Sequence, residues 1–525
     1  NGKAELNSVL GMIFAINNKF DRKQVIEEAK KIIKEVNKLS FNEQKKKLSE
    51  LGEIKKESKK TRTYELENVK GKVVMRFAPN PNGAMTLGHS RVALWNWFFV
   101  QKYNGEYILR FDDTDPRLKV SLKEAYKWFI EDLKWIKIKP HKVAMASKRL
   151  KIYYKYAEKL IKKGYAYVDT LPVEKMRAML SKGIISDERN ESSDEVLKKW
   201  KKMFTKYKDG EAVLRIKTDI THPNPAVRDW IAFRIIRKGK HPLVKARVWP
   251  MLNFASAIDD YEFKVTHILR GSDLEISDIR QKYIYDYFGW KYPETRYNGK
   301  LLVSGIKSTS EAKELIEEGK LTGWDDPRLG TIKALRRRGF QSEAIVKFIK
   351  DAGFGKNDIN VNISSLEACN KDIIDKKANR YFFIENPQKI KILYGNIKEV
   401  KVPLHPDFQE RGFRKFKVKD EFYVQDDIIW DKDYRLMHLF NFKNNEVTSE
   451  NYDPKIEAKL IHWLPVSKDL INVEVVMPDN TIKKGFGESE LRKLKIDDII
   501  QFERFAFCRA DKKLKNKMIF YYTHT

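Results

Sequence analysis

The sequence predicts a multidomain protein of mixed α/β and β class: a parallel-sheet domain with an insertion, a helical region, and a C-terminal antiparallel β region. Three observations carry this. From about residue 71, strand-like and helix-like segments alternate, in "VVMRFAP", "WNWFFVQKY", "EYILRFDD" and "EAYKWFIEDLKWI", as parallel strands joined by right-handed crossovers do. Beyond "RYFFIENPQKIKI" the text shortens to alternating stretches bounded by turn residues, such as "RKFKVKDEFYV" and "LINVEVVM", which reads as all-β. The 525 residues suffice for about three or four domains of ordinary size.

Taken in order, residues 1–70 read as a helical basic region and linker, with helical spacing in "VIEEAKKIIKEVNKL" followed by the charged "FNEQKKKLSELGEIKKESKKTR". Residues 71–309 form the α/β domain, interrupted by a loop-rich insertion at about 171–245. Residues 310–384 are helical and basic, and include "TIKALRRRGF". Residues 385–525 are the β region.

Composition narrows the partner. Lys and Arg number 104 against 73 Asp and Glu, a net charge of +31, which points to a polyanion, nucleic acid first. A merely Lys-rich composition is the competing reading. With 42% hydrophobic and 12% aromatic residues the chain is not of the disordered class. Two distant cysteines, Cys369 and Cys508, argue against a disulfide framework and a Cys-based zinc site. No run approaches the roughly 18 apolar residues of a membrane span. The expectation is a soluble cytoplasmic protein with no membrane partner and no dedicated metal site.

The stretch "RFAPNPNGAMTLGHSR", residues 76–91, combines a strand end, a loop with Pro and Gly, and the start of an apolar helix. Free N–H groups and the helix dipole make such a junction a seat for phosphate.

Six segments in order, "FAPNPNGAMTLGH", "YILRFDDTDP", "HILRGSD", "LTGWDDPRLGTIKALRRRGF", "VPLHPDFQERGFRKFKV" and "DIIQFERFAFCR", resemble the class I glutamyl-tRNA synthetases of the archaeal and eukaryotic type, relatives of the glutaminyl enzymes. The resemblance runs from about residue 71 to the C-terminus. It implies a Rossmann-type catalytic domain whose insertion binds the acceptor end, a helical domain along the tRNA stem, and two β-barrels at the anticodon. The implied activity is glutamate-tRNA ligase: ATP, with Mg²⁺, activates glutamate, which passes to tRNA(Glu) and, in some relatives, also to tRNA(Gln). A glutaminyl enzyme, or a tRNA-binding paralogue without activity, is the alternative.

The same resemblance implies the site. The family's His-x-Gly-His signature is here Thr86, Leu87, Gly88 and His89, so Thr86, Gly88 and His89 are expected at ATP, with His89 donating to phosphate. Glutamate offers an ammonium and two carboxylates, and its site needs one acid and cationic forks. Asp112 matches the contact to the α-amino group, Arg76 a carboxylate contact, and Arg270 the γ-carboxylate contact that glutaminyl enzymes lack. Leu252 stands where the family places a tyrosine, with Asn253 as a candidate replacement. In the mobile loop "VSGIKSTSEAK" the family's lysine position falls at Ser310 or Glu311, between Lys307 and Lys313, and Lys307 is the expected triphosphate ligand. Arg336, Arg337 and Arg338 are expected on tRNA phosphates, with a solvated helix face as the competing reading.

Overall fold

The structure, a computed structural model, describes residues 4–6, 9–10, 13, 21–50, 64–303, 309–394, 398–425, 427–451 and 456–525. It divides into two compact units, Asn1–Tyr64 and Glu65–Thr525, so the first boundary lies slightly before the expected residue 70. In the first unit, Asp21 caps the helix Arg22–Val36 by accepting from the Gln24 N–H at 2.9 Å. Before the helix Phe41–Glu50, Glu43 accepts the Ser40 N–H at 2.7 Å. The Ser40 hydroxyl accepts the Glu43 N–H in return at 3.4 Å, so side chains satisfy donors that each helix start leaves open.

The second unit begins with the parallel sheet. Strands β1 (Val74–Phe77), β2 (Glu106–Phe111) and β3 (Lys142–Met145) pair in parallel and in that order. On the other side of β1 lies a second parallel pair, β8 (His267–Gly271) with β9 (Glu294–Asn298). Thr266 ties the two sets, its N–H donating to the Val74 carbonyl at 2.9 Å. Strand order therefore reverses beside β1, the topological switch point where open α/β sheets bind ligands.

Between β3 and β8, the insertion is more regular than expected. Strands β4 (Ala166–Asp169), β5 (Val213–Ile216), β6 (Ile231–Ile235) and β7 (Val248–Pro250) form an antiparallel sheet, covered by helices Leu150–Lys162 and Ser193–Thr205 around buried Tyr153, Trp200, Phe233 and Trp249. The helix Ser193–Thr205 opens with a reciprocal capping box between Ser192 and Glu195. That Ser-x-x-Glu pattern is a helix-start signal in the sequence itself.

The helical region holds Thr309–Glu317, Ile332–Arg338, Ser342–Ala352 and Ile363–Ile374, with a short parallel pair of β10 (Leu301–Val303) and β11 (Ile359–Val361). The β region begins with β12 before residue 385, and its two bodies are interleaved in sequence. Strands β12 (Asn379–Tyr381) and β13 (Phe383–Glu385) belong to the same seven-stranded sheet as β23 (Ile471–Val476), β24 (Ile482–Gly487), β25 (Ile499–Phe502), β26 (Ala506–Leu514) and β27 (Lys517–His524). The strands between, β14 (Gln388–Lys391) to β22 (Leu464–Pro465), build the second β body around Trp463, Phe422 and Phe440. At the junction Glu488, itself buried, accepts Arg414 at 2.7 Å and the Phe382 N–H at 2.6 Å.

The helix Ile332–Arg338 joins the seven-stranded sheet to the catalytic loop. At its head, Leu87 donates to the Gly330 carbonyl at 3.0 Å and Ile332 to the Met85 carbonyl at 2.8 Å. At its tail the three arginines diverge, which corrects the expectation of a common phosphate-binding face. Arg338 is buried, and its Nη2 donates to the Thr523 carbonyl at 2.9 Å. Arg337 faces Asp325 at 3.0 Å and Asp511 at 3.4 Å. Arg336 alone is exposed, its guanidinium over Trp135. Seven helical residues turn by about 100° each, so three consecutive side chains cannot share a face.

Gly339 ends this helix at φ +100°, and a Cβ there would stand 2.7 Å from Thr523 Oγ1 and 3.0 Å from Ile499 Cδ1. Gly339→Ala is expected to destabilise the attachment to the seven-stranded sheet by about 2–3 kcal/mol, combining backbone strain with overpacking. A lower urea midpoint, or a new early unfolding phase, checks it.

Candidate active site

A cavity of about 600 Å³ opens at the C-terminal ends of β1, β2 and β8. Its walls include Arg76, Thr86, Gly88, His89, Asp112 and Arg270. The six residues expected at ATP and glutamate that lie on described elements thus meet in one space. Lys307 lies outside the described residues. Lys313 sits on the helix Thr309–Glu317 facing Glu317 at 3.9 Å. The approach of that helix to the loop is permitted by Gly83, where a Cβ would fall 2.4 Å from Trp324 and 2.6 Å from Thr309.

The loop after β1 delivers Thr86 as the cap of the helix Leu87–Lys102. Its hydroxyl accepts the His89 N–H, and the Thr86 N–H donates to His89 Nδ1, both at 3.2 Å. This exchange occupies Nδ1 as an acceptor, which places the imidazole proton on Nε2. Burial pushes the His89 pKa down to about 4, and Phe77 and Phe129 present ring edges to it at 6.5 and 5.6 Å. The histidine is therefore a neutral donor at physiological pH. A Cβ on Gly88 would meet only Thr86 Oγ1, at 3.7 Å; the glycine leaves room on the cavity side that the protein does not fill.

The cationic groups are held by acids that the sequence reading missed. Arg76 donates through Nε and Nη2 to both oxygens of Asp260, at 2.9 and 3.2 Å. Burial opposes the Arg76 charge, but Asp260 outweighs it and the pKa lies above the usual value. Arg110 donates from Nε to Asp259 at 2.6 Å and from Nη1 to Asp112 at 3.2 Å. Asp259 also accepts Arg149 and the Tyr153 hydroxyl, each at 2.6 Å. Burial raises the Asp112 carboxyl even though Arg110 pulls the other way. Asp259 and Asp260 are fully buried on the helix Leu252–Glu262. Two adjacent acids in the apolar run "NFASAIDDYE" were the available signal, since buried carboxylates need partners.

Arg270 stands at the other wall. Its Nη1 lies 2.7 Å from Asp278, its Nη2 donates to Gln281 at 3.1 Å, and its Nε is buried without a hydrogen-bond partner. Tyr292 donates to both Asp278 (2.7 Å) and Gln281 (2.8 Å), and Gln281 donates to Ser256 at 2.6 Å. Leu252 is 38% exposed and lines the cavity. Asn253, the expected replacement for the missing tyrosine, is buried with Oδ1 lacking a hydrogen-bond partner and is not among the cavity's lining residues. Ser256, one helical turn beyond Leu252, does line it.

Because His89 is neutral in the folded protein down to about pH 4, while an unfolded histidine takes up its proton near pH 6.5, the unfolded state binds more protons between these values. Stability is expected to fall as pH drops through that window. His89→Gln, which can keep the capping box, is expected to remove its share of the slope, as read from melting temperatures across pH 4–7.

No helix among the described residues is long and apolar enough to cross a membrane. The family model for the catalytic domain of class I tRNA synthetases (E and Q) matches residues 72–376, and the two anticodon-binding domain models of the same group match residues 378–461 and 460–511. The glutamate–tRNA ligase of Pyrococcus furiosus is 45% identical over 556 aligned residues, covering 100% of this chain and 96% of that protein. The glutamate–tRNA ligase of Methanocaldococcus jannaschii is 44% identical over 541, covering 100% and 97%. The chain belongs to the class I tRNA synthetases of the E and Q group, and within it to the glutamate–tRNA ligases.

Proposed function

We propose that this chain joins glutamate to tRNA(Glu) in two steps within the one cavity. Convergence of His89, Arg76, Asp112 and Arg270 at the sheet's switch point carries the reading. A glutamate α-carboxylate oxygen attacks the α-phosphorus of ATP, the bond to the bridging oxygen breaks, and pyrophosphate leaves. A hydroxyl of the terminal ribose then attacks the glutamyl carbonyl and AMP leaves. The protein positions the reactants and stabilises developing charge, with no covalent enzyme intermediate.

In this reading the neutral His89 donates from Nε2 to the phosphates, Thr86 keeps its ring oriented, and Gly88 leaves space for the nucleoside. Lys307 serves the triphosphate, and Mg²⁺ arrives with ATP. Asp112 receives the ammonium of glutamate, Arg76 an α-carboxylate oxygen, and Arg270 the γ-carboxylate. The insertion takes the acceptor end, the helical region the stem, and the β bodies the anticodon arm. Arg336 remains the phosphate contact among the three arginines. The cytoplasm, where tRNA is charged, is the expected place of action.

Glutamate-dependent exchange of pyrophosphate into ATP, run with and without tRNA, tests the activation step. Charging of tRNA(Glu) and tRNA(Gln) in parallel measures whether both are substrates. The sharpest expectation concerns Arg270. Replacing it with Ala removes a charge-assisted fork and strands Asp278. The specificity constant for glutamate is expected to fall at least about a hundredfold, while that for glutamine, which has no γ-charge, falls less or rises. Should the glutamate-to-glutamine ratio stay at the parent value while both activities drop, Arg270 holds the wall and does not read the substrate.

A further inference from the structure

The acidic loop after β2, "DDTDP", contributes Asp112 to the cavity, but its remaining residues turn toward the insertion. Asp115 accepts Arg234 of β6 at 2.9 Å. The Pro116 carbonyl accepts the Lys240 N–H, also at 2.9 Å. Gly239 packs so tightly there that a Cβ would fall 2.8 Å from Pro116. On its other flank the same loop is tied to the catalytic strand–loop–helix junction, Asp112 donating its N–H to the Pro79 carbonyl at 2.8 Å. Five residues thus join three parts of the molecule.

At the centre of this junction is a histidine that no role in the proposed reaction uses. The His241 side chain has 0% exposure. Its Nδ1 accepts the N–H groups of Leu243 (3.2 Å) and Val244 (3.1 Å), so the proton lies on Nε2. Nε2 is buried without a hydrogen-bond partner and points at Asp113 Oδ2 from 3.6 Å. The ring rests on Trp249 of β7, centroids 5.3 Å apart. Asp113 is buried and accepts three strong bonds besides: the Tyr126 hydroxyl (2.7 Å), the Ser147 N–H (2.8 Å) and the Ser147 hydroxyl (2.7 Å). Those bonds tie its carboxylate to the catalytic body, so the imidazole meets a fixed anion.

The segment that His241 pegs down, residues 237–247, reads "RKGKHPLVKAR". Lys238, Lys240 and Lys245 are exposed on it, so one loop carries cations outward and a buried imidazole inward. An imidazole N–H buried 3.6 Å from a fixed carboxylate favours the docked position of the loop that carries it.

We infer that His241 is a positioning residue that docks the insertion's basic loop, residues 237–247, onto Asp113 and so sets the tRNA 3′ strand against the glutamyl group beside Asp112. The inference rests on the proposed function for the identity of the strand. Asp113 and Asp112 are adjacent in the chain, so a displacement of the docked loop is felt one residue from the substrate's ammonium. Misplacement of the attacking hydroxyl by about 1 Å is enough to cost on the order of a hundredfold in rate. The contact acts through position: His241 itself touches neither substrate nor ATP.

The test compares His241→Ala and His241→Gln in the full chain, the second keeping an N–H donor that can reach Asp113. Single-turnover charging of tRNA(Glu) is expected to slow at least tenfold in His241→Ala. Equilibrium tRNA binding and glutamate-dependent pyrophosphate exchange at saturating tRNA are expected to change less than threefold, and His241→Gln to recover most of the charging rate. Equal losses in exchange and charging, with Gln no better than Ala, would make the residue a packing element and overturn the inference. Amide hydrogen exchange supplies a readout that needs no activity. Faster exchange confined to residues 237–247 in His241→Ala supports the docking contact, and parent rates there overturn it. A parent protein that charges no tRNA with glutamate would sink the proposed function instead, a result that the hydrogen-exchange comparison does not depend on.

Discussion

The cavity depends on two buried carboxylates. Asp259 and Asp260, consecutive on the helix Leu252–Glu262, hold Arg110, Arg149, the Tyr153 hydroxyl and Arg76 between them. Arginine forks buried at strand ends would be expensive without anions, and the anions would be expensive without the forks. The mutual requirement fixes the guanidinium planes before any ligand arrives. The helix is buried continuously from Asn253 to Asp260, packed against the helices Glu275–Phe288 and Leu150–Lys162 and against β6.

A second dependence is mechanical. Backbone bonds from Leu87 to Gly330 and from Ile332 to Met85 connect the catalytic loop to a seven-residue helix. The far end of that helix is tied to β27 by Arg338. Helices this short are marginal by themselves; here both ends are held by tertiary contacts. The acidic loop at residues 112–116 plays the equivalent part for the insertion. The placement of the site's side chains is thus set by connections to other regions of the unit.

Electrostatics within the cavity distinguish the groups by environment. His89 is kept neutral by burial, and its capping-box bonds with Thr86 orient the ring. Arg270 lies against Asp278, which partly balances its charge, while its Nε is buried without a hydrogen-bond partner. Such partial compensation lowers the cost of burying the guanidinium. In the proposed reading, a substrate carboxylate at Arg270 competes with Asp278 for one guanidinium.

Much of the fold was legible in the chain. The 2-to-3.6 switching of apolar spacing marked the parallel sheet, short alternation marked the β region, and the "TLGH", "FDDTDP" and "HILRGSD" segments marked the residues that line the cavity. These are local patterns, and they persist because strand ends and helix starts are set by nearby residues. The insertion's order was also written, in its Ser-x-x-Glu box and its buried face of Val196, Trp200 and Met203, but its many polar residues masked it. What only tertiary structure decided was partnership. Arg336, Arg337 and Arg338 look alike in sequence, yet one meets solvent, one two carboxylates and one the carbonyls of β27. Likewise Arg76 chose Asp260, which lies 184 positions away, over the nearer Asp112. A charged side chain's energy depends on which groups share its burial, and that is set by chain segments remote in sequence, so local pattern fixes where such a residue sits but not what it does there.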